Sequence, residues 1–346
     1  GTFVLISWII AVVVCFASVM VLRPIAVNWG LVDSPSKRKR HFGNIPLIGG
    51  IAIYLATLSG VSFYLEHNQH INLILVSISL MVFIGALDDK YDLNAKLRLI
   101  AQILIASILT FGTDIHIHSL GNLFGGGDIT TSPLSGLVTI LALVAGINAF
   151  NMSDGIDGLA GMLSLIGLTA SGVLLADEGL KVLVGALTAS ILVFLFFNLG
   201  LLTKKYKVFM GDAGSMMLGL IVSWLLITVS QSDSGSLKPA NVLWFIAVPL
   251  IDMLTVMYRR LRKGKSPLVA DREHLHHVFM DIGLNSKQAL LFITVIGLIF
   301  MSIGFALEYY NFSERTSILL FTLSFLIYNK MLNQRHKLKQ LLRRNS

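Results

Sequence analysis

Eleven apolar runs constrain this chain more than any other feature. They lie near residues 3–27, 47–65, 71–87, 98–113, 134–150, 159–176, 181–199, 214–230, 242–257, 288–306 and 316–332. Each is close to or above the length of apolar helix that crosses the hydrocarbon core of a bilayer. No soluble domain hides so much apolar surface: 55% of the 346 residues are hydrophobic and only 13% are charged. The expectation is an all-α integral membrane protein, a single polytopic domain of about eleven transmembrane helices. The first run has full spanning length and no small-residue cleavage site beside it, so it is expected to remain a span. The single cysteine, Cys15, lies inside that run, which leaves no intramolecular disulfide and no thiolate metal site. No internal repeat of the kind found in duplicated transporters is visible.

The charges give the runs a direction. Loops 28–46, 88–97, 151–158, 200–213 and 258–287 lie on one side, with a basic tail at 333–346. With the span-end residues Arg98 and Lys330, they hold 23 of the 27 lysines and arginines. The other side keeps Lys181, Lys238 and Arg315, and Arg23 lies near the basic end of the first run. By the positive-inside rule the basic side is cytoplasmic. The N-terminus is then periplasmic and the C-terminus cytoplasmic, as an odd number of spans requires. The net charge of +8 is read as topology and contact with anionic membrane lipid, not as a nucleic-acid surface. Residues 114–133, with Gly125–Gly126–Gly127, are too polar to span and are expected to form an external loop.

The acids follow another rule. Glu66, Asp114, Asp128, Asp177, Glu178, Asp233, Glu308 and Glu314 are scattered over the external loops, where solvation explains them. On the basic side they gather at span ends: Asp88, Asp89 and Asp92 in GALDDKYD, Asp154 and Asp157 in NMSDGIDG, and Asp212 in KVFMGDAGS. If their helices continue, Asp88 and Asp92 share a face, as do Asn151, Asp154 and Asp157. Asp212 precedes small residues at the start of a run, where free N–H groups are expected to receive an anion. Any one group alone serves equally well as a helix cap or an interfacial acid. Three on one side, each beside glycine or basic residues, point to a site.

Oxygen ligands without thiols suit Mg²⁺, with Mn²⁺ as the alternative. The interleaved Lys90, Lys96, Arg98, Lys204, Lys205, Lys207 and the segment RRLRKGKSPLVADREHLHH (259–277) suit a metal-bound diphosphate. His274, His276 and His277 offer a zinc reading, but His-x-His-His has no evident fourth ligand. Asp252, within the ninth run, is the acid a cation-coupled secondary transporter would need; packing or support for the site are its other readings.

Five motifs in order, RKRHFGNIPLIGG (38–50), GALDDKYD (85–92), NAFNMSDGIDGLAG (148–161), KVFMGDAGS (207–215) and REHLHH (272–277), resemble the polyprenyl-phosphate N-acetylhexosamine-1-phosphate transferases. The resemblance covers nearly the whole chain. It implies transfer of a sugar-1-phosphate from a UDP-sugar to undecaprenyl phosphate with release of UMP, at the cytoplasmic face of the bacterial inner membrane. The late motif lacks the denser histidine run of members that use UDP-MurNAc-pentapeptide and is closer to those that use UDP-GlcNAc; the same chemistry with another UDP-HexNAc or with UDP-MurNAc-pentapeptide is the alternative. Feeding O-antigen or enterobacterial common antigen synthesis is the pathway this implies. By resemblance Asn151 and Asp212 ligate Mg²⁺, and Asp88 assists the lipid phosphate as base or by positioning it. Asp89 and Asp92 then support the site, Asp154 lies near the metal shell, Asp157 near the uridine, and Arg98 faces a phosphate. A loop carrying Arg272, His274, His276 and His277 closes on the sugar and diphosphate. The resemblance also implies a homodimer.

Overall fold

The structure, a computed structural model, describes residues 1–33, 43–67, 69–233, 235–268 and 274–344. Among these residues the regular elements are helices, apart from an isolated bridge between Ser119 and Thr130 and a short antiparallel pair, β1 (Val32–Asp33) and β2 (Ile45–Pro46), which aligns Val32 with Pro46. The helices run α1 (Thr2–Trp29), α2 (Gly49–Val61), α3 (Gln69–Tyr91), α4 (Ala95–Thr113), α5 (Ser135–Ser153), α6 (Leu159–Leu174) and α7 (Glu178–Asn198). They continue as α8 (Gly211–Ser230), α9 (Val242–Phe245), α10 (Ala247–Arg262), α11 (Leu275–Asp281), α12 (Ser286–Tyr309) and α13 (Glu314–Arg344).

Each expected run is helical, but the count of spans is smaller. Seven helices among the described residues are long and apolar enough to cross a membrane: α1, α3, α4, α5, α7, α8 and α12. An eighth is obtained if α9 and α10 count as one broken span. The run at 242–257 is therefore not a straight span: the chain bends by 89° where α9 meets α10. Ile246 leaves helical geometry at the break, and Pro249 sits in the first turn of α10, where its missing N–H removes no helical bond. Helices α2 and α6 are shorter apolar elements. The last run and the basic tail form one helix, α13, 31 residues long.

The core is organised around α8, nearly every residue of which is buried. Helices α2, α3, α5 and α6 pack around it, and α1 covers α2 and α7 from outside. Large apolar side chains such as Leu5, Val13, Leu104, Phe111, Leu291 and Leu319 are more than half exposed on the perimeter. An apolar surface that extensive suits lipid, not water, as solvent. This is a multi-pass membrane protein.

Glycine sets the closest approaches. A Cβ at Gly50 would collide with the Gly214 backbone, and one at Gly85 with the Ala213 backbone. Small residues at helix crossings let backbones touch, the main source of packing between helices in lipid. Here they draw α2 and α3 onto the first turn of α8. That contact positions the site, because Asp88 and Asp89 lie one turn beyond Gly85.

At the opposite end of the bundle, Gln231 accepts from the His118 and Ser119 backbone amides at 3.0 and 3.2 Å and donates to the Ser119 carbonyl. That ties the 114–133 loop to the end of α8. Glu308 accepts from the Lys238 backbone at 3.1 Å and the Asn241 side chain at 2.6 Å, and Glu314 from the Ala240 backbone. Asp177 caps α7 through Leu180 N–H. These three acids are structural ties, where the sequence suggested only solvation.

Candidate active site

The ends of α3, α5 and α8 on the basic side enclose a cavity of about 870 Å³. Seven carboxylates line it: Asp33, Asp88, Asp89, Asp92, Asp154, Asp157 and Asp212. Lys207 is the one lysine or arginine among its described lining residues, and His276, His277, Asn198 and Ser286 add to the polar wall. The three acidic motifs, over 120 residues apart at their extremes, thus meet in one place.

Asp88 and Asp89 are adjacent and differently engaged. Asp88 is buried; its Oδ2 accepts from Arg98 at 3.2 Å, while its Oδ1 is buried with no hydrogen-bond partner. The Asp212 carboxyl lies within hydrogen-bonding reach of Asp88. Asp89 accepts from the Asp212 and Ala213 backbone amides at 2.7 and 3.3 Å. It caps α8, so those N–H groups at the start of α8 are taken, where an incoming anion was expected. Gly211, with φ +70°, lies against that carboxylate, and a side chain there would meet it. Arg98 does not line the cavity; it sits in the first turn of α4, whose N-cap Asn94 accepts from Leu97, and it faces Asp88.

Neither expected helical face forms. Helix α3 ends at Tyr91, and Asp92 follows in the left-handed region with φ +51°. Helix α5 ends at Ser153, and residues 154–158 form a turn closed by Gly158, φ +83°. The Gly158 amide donates to Asn198 Oδ1 at 2.7 Å, and Asn198 Nδ2 donates to the Val208 carbonyl at 2.9 Å. Asn198 so fastens the Asp154–Asp157 turn to the segment carrying Lys207, which is ion-paired with Asp157. Asp154 keeps contact with the cavity, yet burial, with repulsion from Asp89 and Asp157, pushes its carboxyl up to about 7. Asn151, in the last turn of α5, stands outside the lining; its Oδ1 accepts from the hydroxyl of Ser215, one turn past Asp212 on α8, at 2.8 Å.

The histidine segment divides. His276 packs on Gly155, where a Cβ would strike its ring, and its ring lies 4.0 Å from that of His277. Burial, with its two histidine neighbours, lowers His276 to about 3, so it is neutral at pH 7. His274 turns away from the cavity toward Asp252. Arg272 lies outside the described residues. Among those described, no three His, Cys, Asp or Glu side chains close into a metal-ligand set of their own.

Sequence reading missed Asp33, Asn198 and Ser286 as wall or brace residues, and placed Lys207 only among the interleaved bases. Lys207 stands inside a quoted motif. Asn198 had only its position as a lone polar residue ending an apolar run.

A glycosyl transferase family 4 model matches residues 71–230. The undecaprenyl-phosphate α-N-acetylglucosaminyl 1-phosphate transferase of Salmonella typhi is 41% identical over 332 residues, covering 94% of this chain and 90% of the relative. The protein of the same name from Escherichia coli (strain K12) is 41% identical over 93% of this chain and 89% of its own length. That of Haemophilus influenzae is 38% identical over 90% and 89%. The resemblance carried by the five motifs is borne out, and the chain belongs to glycosyl transferase family 4.

Proposed function

We propose that this protein transfers GlcNAc-1-phosphate from UDP-GlcNAc to undecaprenyl phosphate, giving undecaprenyl-diphosphate-GlcNAc and UMP. One observation carries the reading: seven carboxylates and one lysine face a single cavity at one end of an apolar bundle. So acidic a cavity repels a diphosphate unless a cation enters with it. Asp88, whose Oδ1 is buried without a partner, lies within reach of the Asp212 carboxyl, and on the Asp212 side this oxygen-only donor set suits a hard divalent ion, Mg²⁺ or Mn²⁺. Two protein ligands suffice for Mg²⁺, which keeps waters and phosphate oxygens in its remaining positions.

Asp212 and Asn151 would hold the ion, Asn151 through the lone pair its Oδ1 does not give to Ser215. When bound, it neutralises diphosphate charge and orients the phosphorus for in-line displacement. The chain's own residues supply the rest. Asp88 Oδ1 takes the proton of a monoanionic lipid phosphate, while Oδ2 is fixed by Arg98. The phosphate oxygen then forms its bond to the sugar-bearing phosphorus as the bond to UMP breaks. Asp89 holds Asp212 in place through the α8 cap. Asp157, paired with Lys207, borders the uridine side, and Asp154, Asp92, His276 and His277 border the sugar-diphosphate. Positioning and charge neutralisation do most of the catalysis.

The orientation belongs to the same proposal. The site end carries the basic loops, so it faces the cytoplasm of a bacterial inner membrane, with the long apolar helices crossing the bilayer and α9–α10 bent within it. The nucleotide sugar arrives from water and the lipid phosphate from the bilayer interface. The product enters O-antigen or enterobacterial common antigen synthesis. A transporter reading gains no support, because Asp252, the acid it needs, is engaged by His274 and Leu275.

UMP release by detergent-purified protein tests the reading. With Mg²⁺ and undecaprenyl phosphate, lipid-dependent release is expected from UDP-GlcNAc but not from UDP-GalNAc or UDP-MurNAc-pentapeptide. Release from another donor would move the substrate, and none from any donor in folded protein would sink the transferase.

A further inference from the structure

Asp252 is a buried acid that the mechanism above does not use. It stands on α10 six residues past the bend at Ile246, 4% exposed, and does not line the cavity. Both of its oxygens reach the histidine segment: Oδ1 accepts from the Leu275 amide at 2.9 Å, and Oδ2 lies 3.0 Å from His274 Nδ1. An ionised carboxylate only accepts, so His274 Nδ1 carries the proton. Leu275 is the first residue of α11 and His274 its N-cap, with no cap bond from its own side chain. Asp252 therefore caps α11 from another helix. The next two residues, His276 and His277, line the cavity, and His276 rests on Gly155 in the turn that carries Asp154 and Asp157.

We propose that Asp252 is a positioning residue for the transfer, and that the Asp252–His274 pair clamps α11 so that His276 and His277 form the wall for the sugar-diphosphate. The clamp acts on the donor side of the cavity, and this role rests on the transferase reading above. A carboxylate inside an apolar run is costly, and two directional bonds to the segment bearing the site histidines give it a reason to be there.

The experiment compares Asp252→Asn, Asp252→Leu, His274→Gln and the Asp252→Asn/His274→Gln double variant with wild type. Hydrogen exchange follows α11 and α8, and UMP release is measured while UDP-GlcNAc and undecaprenyl phosphate are varied in turn. Asp252→Asn keeps an acceptor for Leu275 and places an amide N–H against His274; Asp252→Leu removes both bonds. Exchange in α11 should quicken, more in the leucine variant, while α8 stays protected. The kcat/KM for UDP-GlcNAc should fall about 10²-fold, with KM for undecaprenyl phosphate unchanged. The double variant should lose no more than the worse single one. Unchanged exchange in α11 in both Asp252 variants would overturn the clamp. So would a parallel loss toward both substrates with a lowered Tm, the mark of a general structural role. If wild type releases no UMP, the transferase reading fails, and exchange in α11 still decides the clamp.

Discussion

The two ends of the bundle use their acids in opposite ways. At the far end, Glu308, Glu314 and Asp177 each accept from nearby protein donors, and they tie loops to helices. At the site end, seven carboxylates share a cavity with Lys207, and Asp88 keeps a buried oxygen without a partner. Acids that the protein satisfies by itself are architecture. Those it leaves wanting a cation or a proton mark the chemistry. Asp89 and Asp252 show the finer division within the site end, since both are near the chemistry and both hold backbone.

The comparison can be broken at its strongest point first. Asp212→Asn should lower UMP release by about 10³-fold while the protein still folds, as judged by size-exclusion profile and Tm. Near-normal turnover would remove Asp212 from the site. Lys207→Met, which leaves Asp157 without its cation, should reduce kcat/KM for UDP-GlcNAc by about 10–100-fold. Gly85→Ala should destabilise by about 1–3 kcal/mol, because the new methyl meets the Ala213 backbone, and thermal unfolding in detergent would read it. At the far end, Glu308→Gln should cost about 1 kcal/mol of stability and leave turnover untouched. A catalytic defect there would erase the contrast between the ends.

The last effect is a pH dependence, confined to α11. His276 has a lowered pKa of about 3 in the fold and an ordinary one near 6.5 once released. Below 6.5 the released form takes up the proton and the docked form does not. Docking is therefore at full strength above that pH and weakens progressively as pH falls toward 3. Hydrogen exchange of Leu275–Asp281 at pH 5 and pH 8, corrected for intrinsic rates, should show the loss at pH 5.

Much of the site was legible in the residues. Asp88, Asp89, Asp92, Asp154, Asp157, Asp212, His276 and His277 were all drawn to one cavity, as their clustering at span ends on the basic side suggested. The periodicity argument for them was less successful. Asp92 and Asp154 lie beyond helix ends, because α3 and α5 stop before the faces are complete. A span-length pattern locates a helix to within a few residues, and the exact stopping point decides where a terminal side chain points. The bend between α9 and α10 was likewise invisible, since Ile246 is as apolar as its neighbours and the run reads as continuous.

The sequence by itself determined that the chain is a helical membrane protein, that its bases and its clustered acids share one end, and which ordered motifs tie it to its family. Apolar length, charge asymmetry and motif order are properties of residues close together in the chain, so they survive without coordinates. Only the tertiary structure decided which acid does what. Asp88 and Asp89 are adjacent and chemically identical, yet one accepts from Arg98 beside the Asp212 carboxyl while the other caps a helix whose first turn lies 123 residues away. Whether a carboxylate is satisfied depends on donors brought to it by packing, and here glycine contacts between distant helices bring them.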